Sequence, residues 1–123
     1  IDRDIKTVAG LTLGADPLVS GVALAGSMDE REINALIIRK EPKGHGTESQ
    51  IEGPLPPKGS EIVVLEDVTT TGGSSLKAVN VLRDLGYKVD TVLSIVDRKE
   101  GAVDLMQVYG IKLKSLYTID DFQ

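Results

Sequence analysis

The sequence has no cysteine, which removes a disulfide framework, a thiol nucleophile and a cysteine-ligated metal. It has no tryptophan, and aromatic residues make up only 3% of it. Its core must therefore rest on Val, Ile, Leu and Ala. It lacks an excess of positive charge: the formal net charge of −5 argues against general nucleic-acid binding. No apolar run approaches the length of a membrane span, and no charged-then-apolar signal stands at the start. There is no G-x-x-x-x-G-K-[ST] phosphate loop and no G-x-G-x-x-G dinucleotide fingerprint. Internal repeats and low-complexity tracts are also missing. The chain opens on Ile1 rather than Met, as expected of a processed or shortened piece. The absence of thiols suits a reducing compartment, and a cytoplasmic location is expected.

What is present is an alternation of short apolar runs with helix-like periods over 123 residues, expected to form a single domain, 1–123. Lys6–Gly14 predicts a strand ending in a glycine turn. Asp16–Pro17 is a helix start, Asp as N-cap and Pro at the first helical position. Leu18, Val19, Val22 and Ala25 follow at helical spacing. Ile33–Arg39, Ile62–Leu65, Val89–Asp97 and Ile111–Thr118 predict further strands. Ser75–Leu85 predicts an amphipathic helix with Ala78, Val81, Leu82 and Leu85 on one face, stopped by Gly86. A short helix is expected over Ala102–Tyr109. Lys40–Ser60, with four glycines and four prolines, predicts a long flexible loop at about 40–60. Strands apolar throughout are buried on both faces, so the expected class is α/β: a parallel, Rossmann-like sheet with helices on both faces.

One stretch carries the chemistry: Ile62–Ser75, IVVLEDVTTTGGSS. In an open parallel sheet, ligands bind beyond the carboxyl ends of the strands. Two carboxylates, Glu66 and Asp67, are expected there, followed by Thr69–Ser74 and a helix start. The first turn of a helix offers unpaired N–H groups and partial positive charge, and small residues let the backbone wrap an anion. The loop thus suits a phosphate monoester. The carboxylates would repel that phosphate. They suit adjacent hydroxyls, such as a ribose diol, or a Mg²⁺ shared with a diphosphate. A phosphate beside a diol describes a ribose 5-phosphate. The bland alternative is a strand–helix turn with acidic bias, which a single Asp or Gly would not exceed.

VVLEDVTTTGGSS resembles the phosphoribosyl-diphosphate (PRPP) signature of type I phosphoribosyltransferases. The resemblance implies that family's core fold. It assigns the ribose hydroxyls to Glu66 and Asp67, and the 5-phosphate to the loop after them. PRPP contacts would then come from Glu66, Asp67, Val68, Thr69, Thr70, Thr71, Gly72, Gly73 and Ser74. Upstream, RKEPKGHG (Arg39–Gly46) gathers Arg39, Lys40, Lys43 and the sole histidine, His45, in an otherwise acidic chain. By itself this could be a solvated surface loop. Beside the PRPP signature it resembles the catalytic loop of the orotate phosphoribosyltransferase branch, in which the loop serves a neighbouring subunit's site. The resemblance implies a homodimer with a shared loop. It also implies PRPP contacts from Arg39, Lys40, Lys43 and His45, and chemistry centred on Lys43, His45 and Asp67.

The same resemblance assigns orotate contacts to Thr70 and to Arg98 in VDRKEG (Val96–Gly101), and Mg²⁺ as cofactor, held mainly through PRPP rather than by protein ligands. The implied reaction joins orotate to PRPP, giving orotidine 5′-monophosphate and diphosphate. Members of the family carry an N-terminal hood before the VAGLTLG strand, and here only Ile1–Thr7 precede it. A PRPP-binding truncated or regulatory relative without transferase activity is therefore the alternative. A transferase for another base is a further one. No nucleic-acid or membrane partner is expected.

Overall fold

The structure is a computed structural model and describes residues 6–11, 33–39 and 51–122. In chain order the elements are β1 (Thr7–Leu11), β2 (Asn34–Ile38), β3 (Ile51–Glu52), β4 (Glu61–Thr69), α1 (Gly73–Asp84), β5 (Lys88–Asp97), α2 (Ala102–Val108) and β6 (Lys112–Thr118). A 3₁₀ turn, Ile119–Phe122, follows. The strands form one sheet in the order β3-β2-β1-β4-β5-β6. All neighbours are parallel except the β2–β3 pair. The order runs one way from β1 and the other way from β4, so the topological switch point lies between them. That is where an open α/β sheet presents a crevice.

Side chains on successive strand residues point to opposite faces, and the core divides accordingly. On one face Ala9, Leu36, Ile38, Ile62, Val64 and Val92 pack with Ala78, Val79 and Leu82 of α1 and Met106 of α2. On the other face Val8, Ile33, Val63 and Leu65 form a second cluster. Both described helices therefore lie on the first face. The helix expected around Leu18–Ala25 lies outside the described residues. The α1 face read from the sequence is the buried one: Ala78, Val81 and Leu82 are buried and Leu85 packs at the margin.

Two expectations need correction. The strand expected to stop at Leu65 continues through Glu66, Asp67 and Val68 to Thr69. Its polar end is held by β5, in register from Leu65↔Leu93 to Thr69↔Asp97. The long loop contains order that its composition hides. Ile51–Glu52 add a short antiparallel strand to β2, with Ile38↔Ile51 and Ile37↔Glu52 in register. Gly53 closes that strand at φ +122, where a Cβ would lie 2.6 Å from the Ala35 carbonyl oxygen. The following segment is pinned by Tyr87 Oη donating to the Pro56 carbonyl at 2.8 Å, and by the Gly59 N–H donating to the Gly86 carbonyl at 2.9 Å.

Candidate active site

The loop after β4 is shaped by one glycine. Gly72 is the N-cap of α1 at φ 93, and no side chain caps the helix. The Leu76 N–H donates to the Gly72 carbonyl at 2.9 Å, which starts the helical ladder. The first-turn amides precede that bond and so are available to a ligand. Gly73 N–H has a marginal contact with Thr71 Oγ1 at 3.5 Å. No acidic residue sits in the first turn to neutralise its partial positive charge. A cavity of about 80 Å³ opens here, lined by Glu66 and residues 68–75. Thr70, Thr71, Gly73 and Ser74 are exposed around it. A small, polar, open recess on a helix N-terminus is chemically an anion seat.

The two carboxylates are successive residues near the end of β4, and their side chains interact. Glu66 lies on the α1 face of β4, half-buried, and accepts a hydrogen bond from Ser75 Oγ at 3.0 Å. Burial raises its pKa above the ordinary carboxylate range. The Ser75 hydroxyl opposes that shift, and neighbouring Asp67 both adds to it and, through its backbone, lowers it. Asp67 follows on the strand, near enough for its side chain to act on the Glu66 carboxylate. Its Oδ1 accepts the Val68 N–H at 2.8 Å. Ser75 was not among the residues singled out from sequence. The only signal for it was its place as the last polar residue of the string.

Thr69 also departs from expectation. It is the final residue of β4 rather than a loop residue, and it is only 2% exposed. Among the described residues its Oγ1 has no hydrogen-bond partner. Val68, by contrast, is exposed at the rim. Across β5, the Arg98 N–H donates to the Thr69 carbonyl at 2.9 Å. This places the Arg98 backbone against the start of the loop. The Arg98 side chain is half-exposed, with Nε 3.6 Å from Glu100. Thr70 and Arg98, the two residues expected to meet orotate, are thus adjoining in the fold. Arg39, just beyond β2, forms an ion pair with Glu52 of β3. Lys40, Lys43 and His45 lie outside the described residues.

The magnesium ion implied by the resemblance can be tested against this donor set. Among the described residues no three His, Cys, Asp or Glu side chains converge. Glu66 and Asp67 each already accept one hydrogen bond. One carboxylate at a time suits Mg²⁺ that keeps most of its ligands from water and phosphate oxygens. The residues present fit an ion delivered with a diphosphate.

No protein-family model matches the chain. Individual proteins do. It is 54% identical over 123 residues to orotate phosphoribosyltransferase of Nostoc sp., covering 100% of this chain and 60% of that protein. Among solved structures, orotate phosphoribosyltransferase of Mycobacterium tuberculosis H37Rv in complex with PRPP superposes with a TM-score of 0.84 at 35% identity, covering 99% of this chain and 68% of that one. The Aeropyrum pernix orotate phosphoribosyltransferase gives a TM-score of 0.82 at 41% identity, covering 97% of this chain and 63% of that one. The chain spans about 60% of the length of the curated orotate phosphoribosyltransferases of Nostoc and Synechocystis that it matches. With this site at the switch point and this likeness over nearly all of its length, the chain belongs to the orotate phosphoribosyltransferase family of type I phosphoribosyltransferases.

Proposed function

We propose that the protein transfers the 5-phosphoribosyl group of PRPP to orotate, giving orotidine 5′-monophosphate and diphosphate in pyrimidine biosynthesis. The observation that carries the reading is the pairing of opposite electrostatics at the end of β4. An uncapped helix N-terminus over an 80 Å³ recess suits the 5-phosphate. Glu66 and Asp67, directly before it, suit the ribose hydroxyls. The names of the similar proteins, and the PRPP complex among them, support the same reading.

In this reading the Thr70–Ser74 backbone and hydroxyls bind the 5-phosphate, and Ser75 holds Glu66 in place for a ribose hydroxyl. Val68 borders the sugar at the rim, and Thr69 closes the floor beneath it. Thr70 and Arg98 meet orotate, the guanidinium forking onto its carboxylate. Orotate N1 attacks ribose C1 as the bond from C1 to diphosphate breaks, so positive charge develops on the sugar ring. Catalysis then consists of positioning and of stabilising the departing diphosphate. Arg39, Lys40, Lys43 and His45 supply cations for that diphosphate. Lys43 and His45 act on the departing diphosphate, one of them taking up the proton that orotate N1 releases, and Asp67 holds a ribose hydroxyl. Mg²⁺ would arrive with PRPP, with Asp67 and Glu66 as the carboxylates at hand, and it supplies charge neutralisation on the diphosphate.

The same reading makes the protein a homodimer in the cytoplasm, each basic loop serving its neighbour's site. Mixing inactive K43A and inactive E66Q subunits should then restore activity in the mixed dimer. Two variants that fail to complement would place the loop in its own subunit. The reaction itself is tested by incubating the chain with PRPP, Mg²⁺ and orotate and following the loss of orotate absorbance. PRPP binding measured by calorimetry without turnover would instead support a PRPP-binding relative lacking transferase activity.

A further inference from the structure

Arg98 stands in a turn whose geometry is held from below. It follows β5, and the chain must swing from the sheet edge into α2 within Arg98–Gly101. Lys99, in the middle, adopts φ +59 and is the sole non-glycine residue with positive φ among the described residues. Few side chains accept that conformation without a compensating contact. Here the contact is Asp97, whose Oδ1 accepts the Lys99 N–H at 2.9 Å.

Asp97 is an unusual occupant of its position. It is 4% exposed at the end of β5, whereas the other charged residues of that strand, Lys88 and Asp90, are not buried. A buried polar group is expected to have hydrogen-bond partners, and the one here is the Lys99 amide. No step of the proposed reaction uses it as acid, base or ligand. Its register partner on β4 is Thr69, whose carbonyl receives the Arg98 N–H at 2.9 Å. Arg98 is therefore gripped on both sides: its own N–H by the end of β4, and the next residue's N–H by the buried Asp97. An exposed ion pair from Lys99 Nζ to Asp120 Oδ2, at 2.7 Å, adds a tether on the outer side.

We infer that Asp97 is a positioning residue for the acceptor subsite: by locking Lys99 in the left-handed conformation it aims Arg98 at the orotate carboxylate. The inference rests on the reading that Arg98 contacts orotate. Asp97 touches no substrate. Its effect is on where the guanidinium starts from, so it should govern affinity for the base and leave the sugar-phosphate half of the site alone.

A charge-matched pair at position 99 tests this without disturbing the core. K99G and K99V both remove the tether to Asp120. Glycine accepts φ +59 freely, whereas β-branched valine opposes it. Orotate and PRPP affinities are measured by calorimetry on wild type, K99G, K99V, D97A and D97A/K99G. K99V and D97A should weaken orotate binding about tenfold, with PRPP binding within about twofold of wild type. K99G should stay near wild type, and K99G placed in the D97A background should recover most of the loss. Equal orotate affinities for K99G and K99V would overturn the proposal. So would D97A/K99G no better than D97A, or parallel losses of PRPP and orotate affinity. If D97A fails to fold, the two single variants at position 99 decide. If wild type binds no orotate, the substrate reading has failed and the turn is read directly by amide exchange at Lys99. Slow exchange that becomes fast in D97A upholds the positioning role, and exchange unchanged by D97A rejects it.

Discussion

Replacing Gly72 by alanine tests the account of the phosphate loop quantitatively. Gly72 is held at φ +93, and a Cβ there would stand 3.0 Å from Met106 Cε, 3.2 Å from Ala102 Cβ and 3.3 Å from Ala102 Cα. Two costs add. The left-handed conformation costs an alanine about 1–2 kcal/mol. Crowding costs about 1–3 kcal/mol more. The flexible Met106 tip can yield, but the backbone of α2 at Ala102 cannot without moving the helix. Lower entropy of the unfolded alanine chain offsets roughly 0.5–1 kcal/mol. The net loss is then about 1–4.5 kcal/mol, set against the roughly 5–15 kcal/mol that stabilises a domain of this kind. Melting should fall by roughly 10 °C. Gly73 is the internal control. A Cβ there meets nothing closer than Thr71 Oγ1 at 3.7 Å, and its φ lies outside the left-handed range. G73A should therefore match wild type or gain up to about 1 kcal/mol from helix propensity. Thermal and urea unfolding followed by circular dichroism reads both. A G72A variant melting within about 2 °C of wild type, or a G73A variant equally damaged, would refute the reasoning.

Glu66→Gln should separate function from stability. The folded state holds the Glu66 proton more tightly than the unfolded chain, chiefly through burial. Its stabilising contribution is therefore present below the unfolded pKa, about 4.3, and is lost as pH rises through the higher folded value. E66Q should equal or exceed wild type in urea midpoint near neutral pH, lose that advantage near about pH 4, and bind PRPP more weakly throughout. A variant less stable at neutral pH contradicts this. Glu52→Ala breaks the half-exposed pair with Arg39 and should cost no more than about 1 kcal/mol in unfolding. Yet it should raise the KM for PRPP by removing the Glu52 carboxylate that helps orient the Arg39 side chain, and an unchanged KM would exclude that role. Lys43→Ala should reduce turnover by far more than it lowers the melting temperature; steady-state kinetics showing unchanged turnover would remove Lys43 from the chemistry.

The parts of this molecule visible in the sequence are those set by local pattern. Ile62–Leu65 and the Ala78, Val81 and Leu82 stripe appear where their periodicity places them, because burial alone dictates them. The polar recess at the start of α1 was legible because small residues and hydroxyls run directly into that helix. What stayed hidden depends on pairing between distant residues. Glu66 to Thr69 look like loop, yet the ladder to Ser94–Asp97 extends β4 through them. Ile51–Glu52 have no period of their own and become a strand only against β2. Ser75 gains its significance from a carboxylate nine positions earlier. Asp97 reads as the polar end of a strand until the turn at Lys99 shows what it holds.

The central claim is that the end of β4 recognises a ribose 5-phosphate, with phosphate on the loop and hydroxyls on the carboxylates. Titrating ribose 5-phosphate into ¹⁵N-labelled protein and following the backbone amide resonances tests it without requiring turnover. The account predicts saturable shifts concentrated at residues 66–75, present but weaker in E66Q and abolished by excess inorganic phosphate. Shifts confined to another part of the sheet, or none at millimolar sugar phosphate, would contradict it.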